Sequence, residues 1–410
     1  MAISQEFAPP FKLIAPYFII GAVVYVISTF LLFTFDITTI SHLDSSILAW
    51  IHLLLLGFVM MIIFGAMAQL IPVVLEVGHF AVELYYIIYP LLFIGTLMMA
   101  VGFSFLPELL PYGGLVVLIS LLIFIFETFM TIKRVEKFNL VMSSVALANS
   151  FLFLGLIFGI VMALGYAGVV NVDIMSLLKG HVYLVFIGYV GVTIMGMSMV
   201  LIPMFWLSHS FSWKSVTYAL WLVSLGVISI SLSSLFDSLY LEYTGYYLTI
   251  TALFLYFNQM YIIYKTRVRL ENDIYFRSML FSYTGMLISL ISGVIYLLLP
   301  SQTLLLAIAW MTIFGYVTFM IVGHLYKIVP FLVWFERFSP LVGKESVPML
   351  ADMLPVKSSN LQFVFSAIGV TIGFIAILFQ NNELFHSGVS FLFMGSLFVL
   401  KDLIYMIRFK

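Results

Sequence analysis

The 410-residue chain has no cysteine. That excludes disulfides, thiolate metal sites and cysteine-attached haem, so any metal would have to use His, Met, Tyr, carboxylates or a prosthetic group. Charge is scarce as well: Asp, Glu, Lys and Arg make up 9% of the residues against 64% hydrophobic, and mean hydropathy is +1.20. A soluble domain is not built from such a composition, so most side chains must face hydrocarbon. A net charge of −1 offers no electrostatic footing for a nucleic-acid partner. No cationic stretch with a short apolar core and a small-residue cleavage site precedes Phe11. No cleaved signal peptide is expected, and the first helix should insert and stay. Gly-rich phosphate loops, a Ser-His-Asp order and zinc-protease motifs are missing too.

What is present is a succession of apolar runs. Crossing about 30 Å of hydrocarbon takes about 20 helical residues. Runs of that length lie near 11-35, 46-74, 80-106, 112-132, 143-169, 178-207, 213-236, 242-264, 275-299, 303-335, 360-380 and 385-407. The expectation is an all-α integral membrane protein of twelve transmembrane helices, one transmembrane domain over 1-410, with the second, sixth and tenth spans longest. With both termini cytoplasmic, Lys133, Arg134, Lys137, Lys265, Arg267, Arg269, Arg337, Arg408 and Lys410 all fall on the inner side and Lys179 on the outer. This is the asymmetry expected of a multi-pass membrane protein with its basic loops in the cytoplasm.

A glycine and proline pattern occurs three times. Gly57, Gly65, Pro72, Gly95 and Gly114 recur as Gly188, Gly196, Pro203, Gly226 and Gly245, and again as Gly315, Gly323, Pro330, Gly369 and Gly388. The first two copies keep every spacing; the third carries a 16-residue insertion after its proline. A unit of four helices is therefore used three times, over about 11-137, 143-269 and 275-410. Glycines seven or eight apart lie close to one face of a helix and let a neighbouring backbone or a flat cofactor approach. The inserted segment, 338-359, reads as a short amphipathic stretch on the cytoplasmic membrane surface.

Three sets of four helices resemble subunit I of the haem-copper oxidase superfamily, in which three four-helix arcs surround three pores. Local sequence extends the likeness. Gly180-His181-Val182-Tyr183, with Gly188-Tyr189-Val190-Gly191, Gly196 and Leu201-Ile202-Pro203, resembles a stretch of C-type oxidases and nitric-oxide reductases. The segment from His52 to Phe58, with Gly65 and Pro72, is similar to a helix of NnrS-type (nitric-oxide-response) haem-copper membrane proteins. The departures are equally specific. The seventh span, near 213-236, has no histidine, and the tenth carries Trp310 and Ile308 where the repeat aligns His52 and His181. Copper needs several nitrogen ligands that are not offered, so neither copper nor an oxygen- or nitric-oxide-reducing centre is expected.

The seven histidines are His42, His52, His79, His181, His209, His324 and His386. An intramembrane histidine is a functional candidate by default, and the alternative is an imidazole bonded to a backbone carbonyl. The resemblance implies that His52 ligates the iron of a b-type haem, with His386 or His181 as its partner; His181 could instead hold a second haem, or a metal with His42. His324 reads as structural or as part of a proton path. His79 and His209, in inner loops, read as simply hydrated. Glu127, Asn258 and Lys401 stand thirteen residues after the last glycine of each copy. They are either snorkelling anchors or proton-loading groups, since apolar surroundings favour the neutral form of a carboxyl. The 23 methionines read as packing residues.

Three functions remain open at this point. One is a haem-binding protein in electron transfer or nitric-oxide or haem handling, with a redox partner or respiratory complex. A second is a transporter of a metal, haem or small solute on the same scaffold. The third is a cofactor-free accessory protein of a respiratory complex.

Overall fold

The computed structural model describes residues 7, 9–40, 44–166 and 168–410. The described residues are mostly helical and form no strand. Eleven helices are long and apolar enough to cross a membrane: α1 (Phe11–Thr34), α2 (Ser45–Leu75), α3 (Val82–Ser104), α4 (Pro107–Ile132), α5 (Leu140–Tyr166), α6 (Ile174–Trp206), α7 (Lys214–Phe236), α9 (Ile274–Leu298), α10 (Gln302–Arg337), α11 (Val356–Leu378) and α12 (Asn382–Ile407). Between α7 and α9 runs α8, Leu239–Lys265, a 27-residue helix rich in tyrosine that falls outside the apolar eleven. The expected long helices are long: α2, α6 and α10 have 31, 33 and 36 residues, well beyond the ~20 that span a bilayer.

Two compact units divide the contacts. One comprises Leu70–Leu84 and Leu121–Leu270, the other Pro9–Gln69, Tyr85–Ser120 and Glu271–Lys410. In the first, α5 packs on α6, α6 on α7, and α7 on α8; in the second, α1 packs on α2 and α12, α2 on α3, α9 on α10, and α11 on α12.

Each of the three long helices is interrupted by a π-helical stretch: Leu55–Met60 in α2, Tyr183–Gly191 in α6 and Met311–Thr318 in α10. Gly57, Gly188 and Gly315, the first glycine of each copy, lie inside these stretches. The preceding helix docks on the same glycines each time. Gly57 and Gly65 receive Val24 and Tyr17 of α1, Gly188 and Gly196 receive Phe151 and Ser144 of α5, and Gly315 and Gly323 receive Gly285 and Ser278 of α9. In every case the docking residues are seven apart. An added Cβ would stand 2.7 Å from Val24 at Gly57 and 2.7 Å from Phe151 at Gly188, so these approaches require glycine. Lipid is as apolar as leucine, and helix association in a bilayer relies on such close contact.

The helix pairs α3–α4, α7–α8 and α11–α12 also meet through glycine, but in α4 one residue away from the register of the sequence pattern. Gly226 faces the Gly245 carbonyl and Thr249, and Gly369 faces the Gly388 carbonyl and Leu392; Gly95 faces the Gly113 carbonyl and Val117, whereas a Cβ on Gly114 would meet nothing within 4 Å. The contacting glycine is Gly113. The adjacent glycines of α4 look alike in sequence, and only packing separates them.

The inserted segment, 338-359, is largely non-helical. After a short 3₁₀ turn, Ser339–Leu341, it runs through turns up to Val356, and Pro340, Pro348 and Pro355 deny it helical hydrogen bonds. It is tied back by Trp334 Nε1, which donates to the Pro348 carbonyl at 2.8 Å, and by Met353, which is fully buried.

Candidate functional site

His52 lies one turn before the π stretch of α2. Its Nδ1 is 2.7 Å from the Leu48 carbonyl, a contact that a ring nitrogen makes only by donating, and its ring stacks on Phe103 of α3 at 5.4 Å. The proton is thereby assigned to Nδ1 and the lone pair to Nε2, for which no partner stands among the described residues. Two residues earlier, Trp50 Nε1 donates to the Ser28 carbonyl at 2.9 Å. At the positions equivalent to His52, Tyr183 tilts against Tyr246 and Trp310 donates to the Val370 carbonyl at 2.9 Å. Both are occupied in packing.

The other histidines are distributed rather than gathered. His386 Nε2 donates to the Phe35 carbonyl at 3.0 Å beside Phe33, so its neighbours are the end of α1, not Phe103. His181 Nδ1 donates to the Gly155 carbonyl of α5 at 2.9 Å, in the space left by Gly159. His324 is buried, donating from Nδ1 to the Met320 carbonyl at 2.8 Å and lying 3.4 Å from the Tyr275 hydroxyl. His209 is exposed in its loop. His42 lies outside the described residues. Among those described, no three His, Asp or Glu side chains are grouped to hold a metal ion.

A second set of polar residues stands out. Counting fourteen residues from the contacting glycines Gly113, Gly245 and Gly388 leads to Glu127, Gln259 and Asp402, and all three are 0% exposed. Asn258 and Lys401, the partners that the sequence register gave to Glu127, are exposed. The difference follows from the one-residue offset in α4, because neighbours on a helix point about 100° apart. Lys401 reaches Ser358 Oγ at 3.0 Å and lies over the Phe398 ring.

Glu127 holds a network together. Its Oε1 accepts from His79 Nδ1 at 2.9 Å, the Phe80 amide at 3.2 Å and Thr131 Oγ1 at 2.7 Å. Arg134 Nη1 donates to the His79 carbonyl at 2.9 Å and covers the Phe80 ring. His79 is therefore not hydrated: its side chain is 2% exposed. A loop histidine four residues past a long helix carries no sequence signal for burial; only the glutamate 48 residues later explains it. Asp402 Oδ2 accepts from Tyr326 of α10 at 2.7 Å, while Asp402 Oδ1 and both polar atoms of Gln259 have no hydrogen-bond partner.

Ion pairs complete the polar inventory. Lys327 meets Asp273 at 2.7 Å, with side chains 13% and 23% exposed, and Lys179 meets Glu242 at 2.7 Å. Asp273 also caps α9 by accepting from the Phe276 amide at 2.8 Å. Outside the spans, Asp173 caps α6, and hydrogen bonds from the Ser176 hydroxyl and amide and the Met175 amide hold its carboxyl below the usual carboxylate range.

No protein-family model and no curated protein sequence matches this chain.

Proposed function

We propose that the chain is a haem-binding membrane protein of twelve spans, built as three copies of a four-helix unit and related in arrangement to subunit I of haem-copper oxidases. It would act in electron transfer or in nitric-oxide or haem handling, not in oxygen reduction, in a bacterial inner membrane with both termini cytoplasmic. The carrying observation is His52: its Nδ1 is committed to the Leu48 carbonyl and its Nε2 is open, the arrangement in which a protein presents an imidazole to a metal. The recurring π stretches and the recurring docking of Val24, Phe151 and Gly285 on the first glycines support the three-copy reading.

His52 would hold the iron of a haem through Nε2, the nitrogen that Leu48 leaves unengaged. His386 and His181 each engage one ring nitrogen with a backbone carbonyl, those of Phe35 and Gly155, so a second ligand would have to come from the other nitrogen of either ring. A haem bound at His52 would supply one-electron chemistry or a site for a small gas at its iron. The chain's own contribution is to fix the ring of His52 through Leu48 and to flank it with Phe103. Protein purified from haem-replete cells should give a reduced-minus-oxidised Soret and α band that is lost in His52→Ala. A wild-type protein free of haem sinks the reading.

One observation favours a transporter on the same scaffold: the largely buried pairs His79–Glu127 and Lys327–Asp273, since intramembrane ionisable groups mark ion and solute pathways. Solute-dependent uptake in proteoliposomes by haem-free protein would establish it.

A further inference from the structure

Of the three equivalent buried positions, Asp402 alone is an acid short of donors. Glu127 collects three donors on Oε1 and Gln259 is an amide. Asp402 accepts from Tyr326 at Oδ2 and has the Ser358 hydroxyl beside it, while its Oδ1 is buried with no hydrogen-bond partner. The titratable groups facing it are Tyr326 of α10 and Lys401 of its own helix; from α11 the facing group is Ser358. The Lys401 ammonium is near enough to act on the carboxyl through space, but its hydrogen bond goes to Ser358 Oγ at 3.0 Å and none reaches Oδ1. An ionised carboxylate in hydrocarbon needs donors on both oxygens. A carboxylic acid with its proton on Oδ1 and its carbonyl oxygen accepting from Tyr326 fits the donors actually supplied.

The surroundings give that proton a route. Ser358, Gln362 and Ser366 share one face of α11, four residues apart, and all are buried. Gln362 Nε2 donates to Ser366 Oγ at 2.9 Å, and Gln362 Oε1 has no partner. Ser366 Oγ lies against the backbone of Gly395; one residue on, Ser396 Oγ meets Thr29 Oγ1 of α1 at 2.8 Å. This file of hydroxyl and amide groups runs about 12 Å along α11 at 1.5 Å per residue. Unpaired buried atoms of this kind are places where ordered water belongs.

We propose that Asp402, with Tyr326, is a proton-binding site that exchanges with water and opens onto the polar face of Ser358, Gln362 and Ser366. Only a proton moves: the carboxylate takes it up as an O–H bond at Oδ1 and returns it to water, and nothing is oxidised or reduced. The inference does not depend on haem.

Infrared spectroscopy of the full-length protein in nanodiscs at neutral pH tests it. The expected spectrum has a protonated-carboxyl C=O stretch that shifts on ¹³C-aspartate labelling and in D₂O. The band should disappear in Asp402→Asn, persist in Glu127→Gln, and move to higher frequency in Tyr326→Phe, which removes the hydrogen bond to the carbonyl oxygen. Should Asp402→Asn not fold, the isotope label and Tyr326→Phe still assign the band. Absence of an aspartic-acid band, survival of the band in Asp402→Asn, insensitivity to Tyr326→Phe, or no shift in D₂O overturns the proposal.

Discussion

His79 and Glu127 are 48 residues apart in sequence, yet His79 Nδ1 lies 2.9 Å from Glu127 Oε1, with side chains 2% and 0% exposed. The carboxylate thereby joins the loop after α2 to the C-terminal end of α4, with the Phe80 amide and Thr131 as further donors.

Removing one member of a buried pair leaves the other unpaired, at a cost of about 3–5 kcal/mol for charged partners. Glu127→Ala is expected to lower stability by that order, and Glu127→Gln by less, because an amide oxygen still accepts. Thermal unfolding of the solubilised protein measures the difference. Equal small losses in both variants would show that the network does not hold the loop.

The two adjacent glycines of α4 should behave differently. Gly113→Ala drives a methyl to 2.6 Å from the Met99 amide nitrogen and is expected to cost about 1–3 kcal/mol through overpacking. Gly114→Ala meets open space and should be neutral or stabilising by up to about 1 kcal/mol, from reduced backbone freedom in the unfolded state. Unfolding midpoints of the two variants check the ordering.

Asp273 pairs with Lys327 and caps α9, and Lys327 also lies over the Tyr275 ring at 5.8 Å. Asp273→Ala and Asp273→Asn both lose the ion pair, but asparagine keeps the cap on the Phe276 amide, so alanine should be the more destabilising by about 1 kcal/mol. Lys327→Met should lose the pair and the ring contact and keep the cap. Comparison of the three unfolding curves decides.

The carboxyl of Asp36, in the loop after α1, is held below its ordinary value by hydrogen bonds from the Thr38 hydroxyl and amide. A lowered folded-state value means that the stabilisation is present above the unfolded carboxylate value of about 3.9 and is lost as pH falls through the folded one. Asp36→Asn should flatten the acid limb of a stability profile, and Thr38→Val should flatten it partly. The neutral region should not change shape.

Much of the architecture was legible in the sequence for one reason: in hydrocarbon every backbone polar group must be satisfied within its segment, so apolar runs translate directly into helices. Glycines such as Gly57 and Gly196 were legible for the same solvent, because close approach needs them. The α8 helix shows the limit, since its tyrosines dilute the apolar signal without preventing the helix. What escaped was angular. A one-residue offset between Gly114 and Gly113 transfers attention from exposed Lys401 to buried Asp402. His79 escaped because its burial is decided by a residue on another helix. The π stretches escaped because π geometry follows from tertiary docking and has no propensity of its own.

The π stretch in α2 fixes an angular phase. One residue more than an α-turn requires rotates everything before it by about 100° around the helix axis. Deleting a single residue within Leu55–Met60 would leave Met61–Leu75 seated but swing the opening turns of α2 around. Trp50 would lose the Ser28 carbonyl and His52 would lose Phe103. Helix length and composition would hardly change. The orientation of the imidazole is thus encoded as a surplus of one residue, and a like π stretch stands in α6 and in α10.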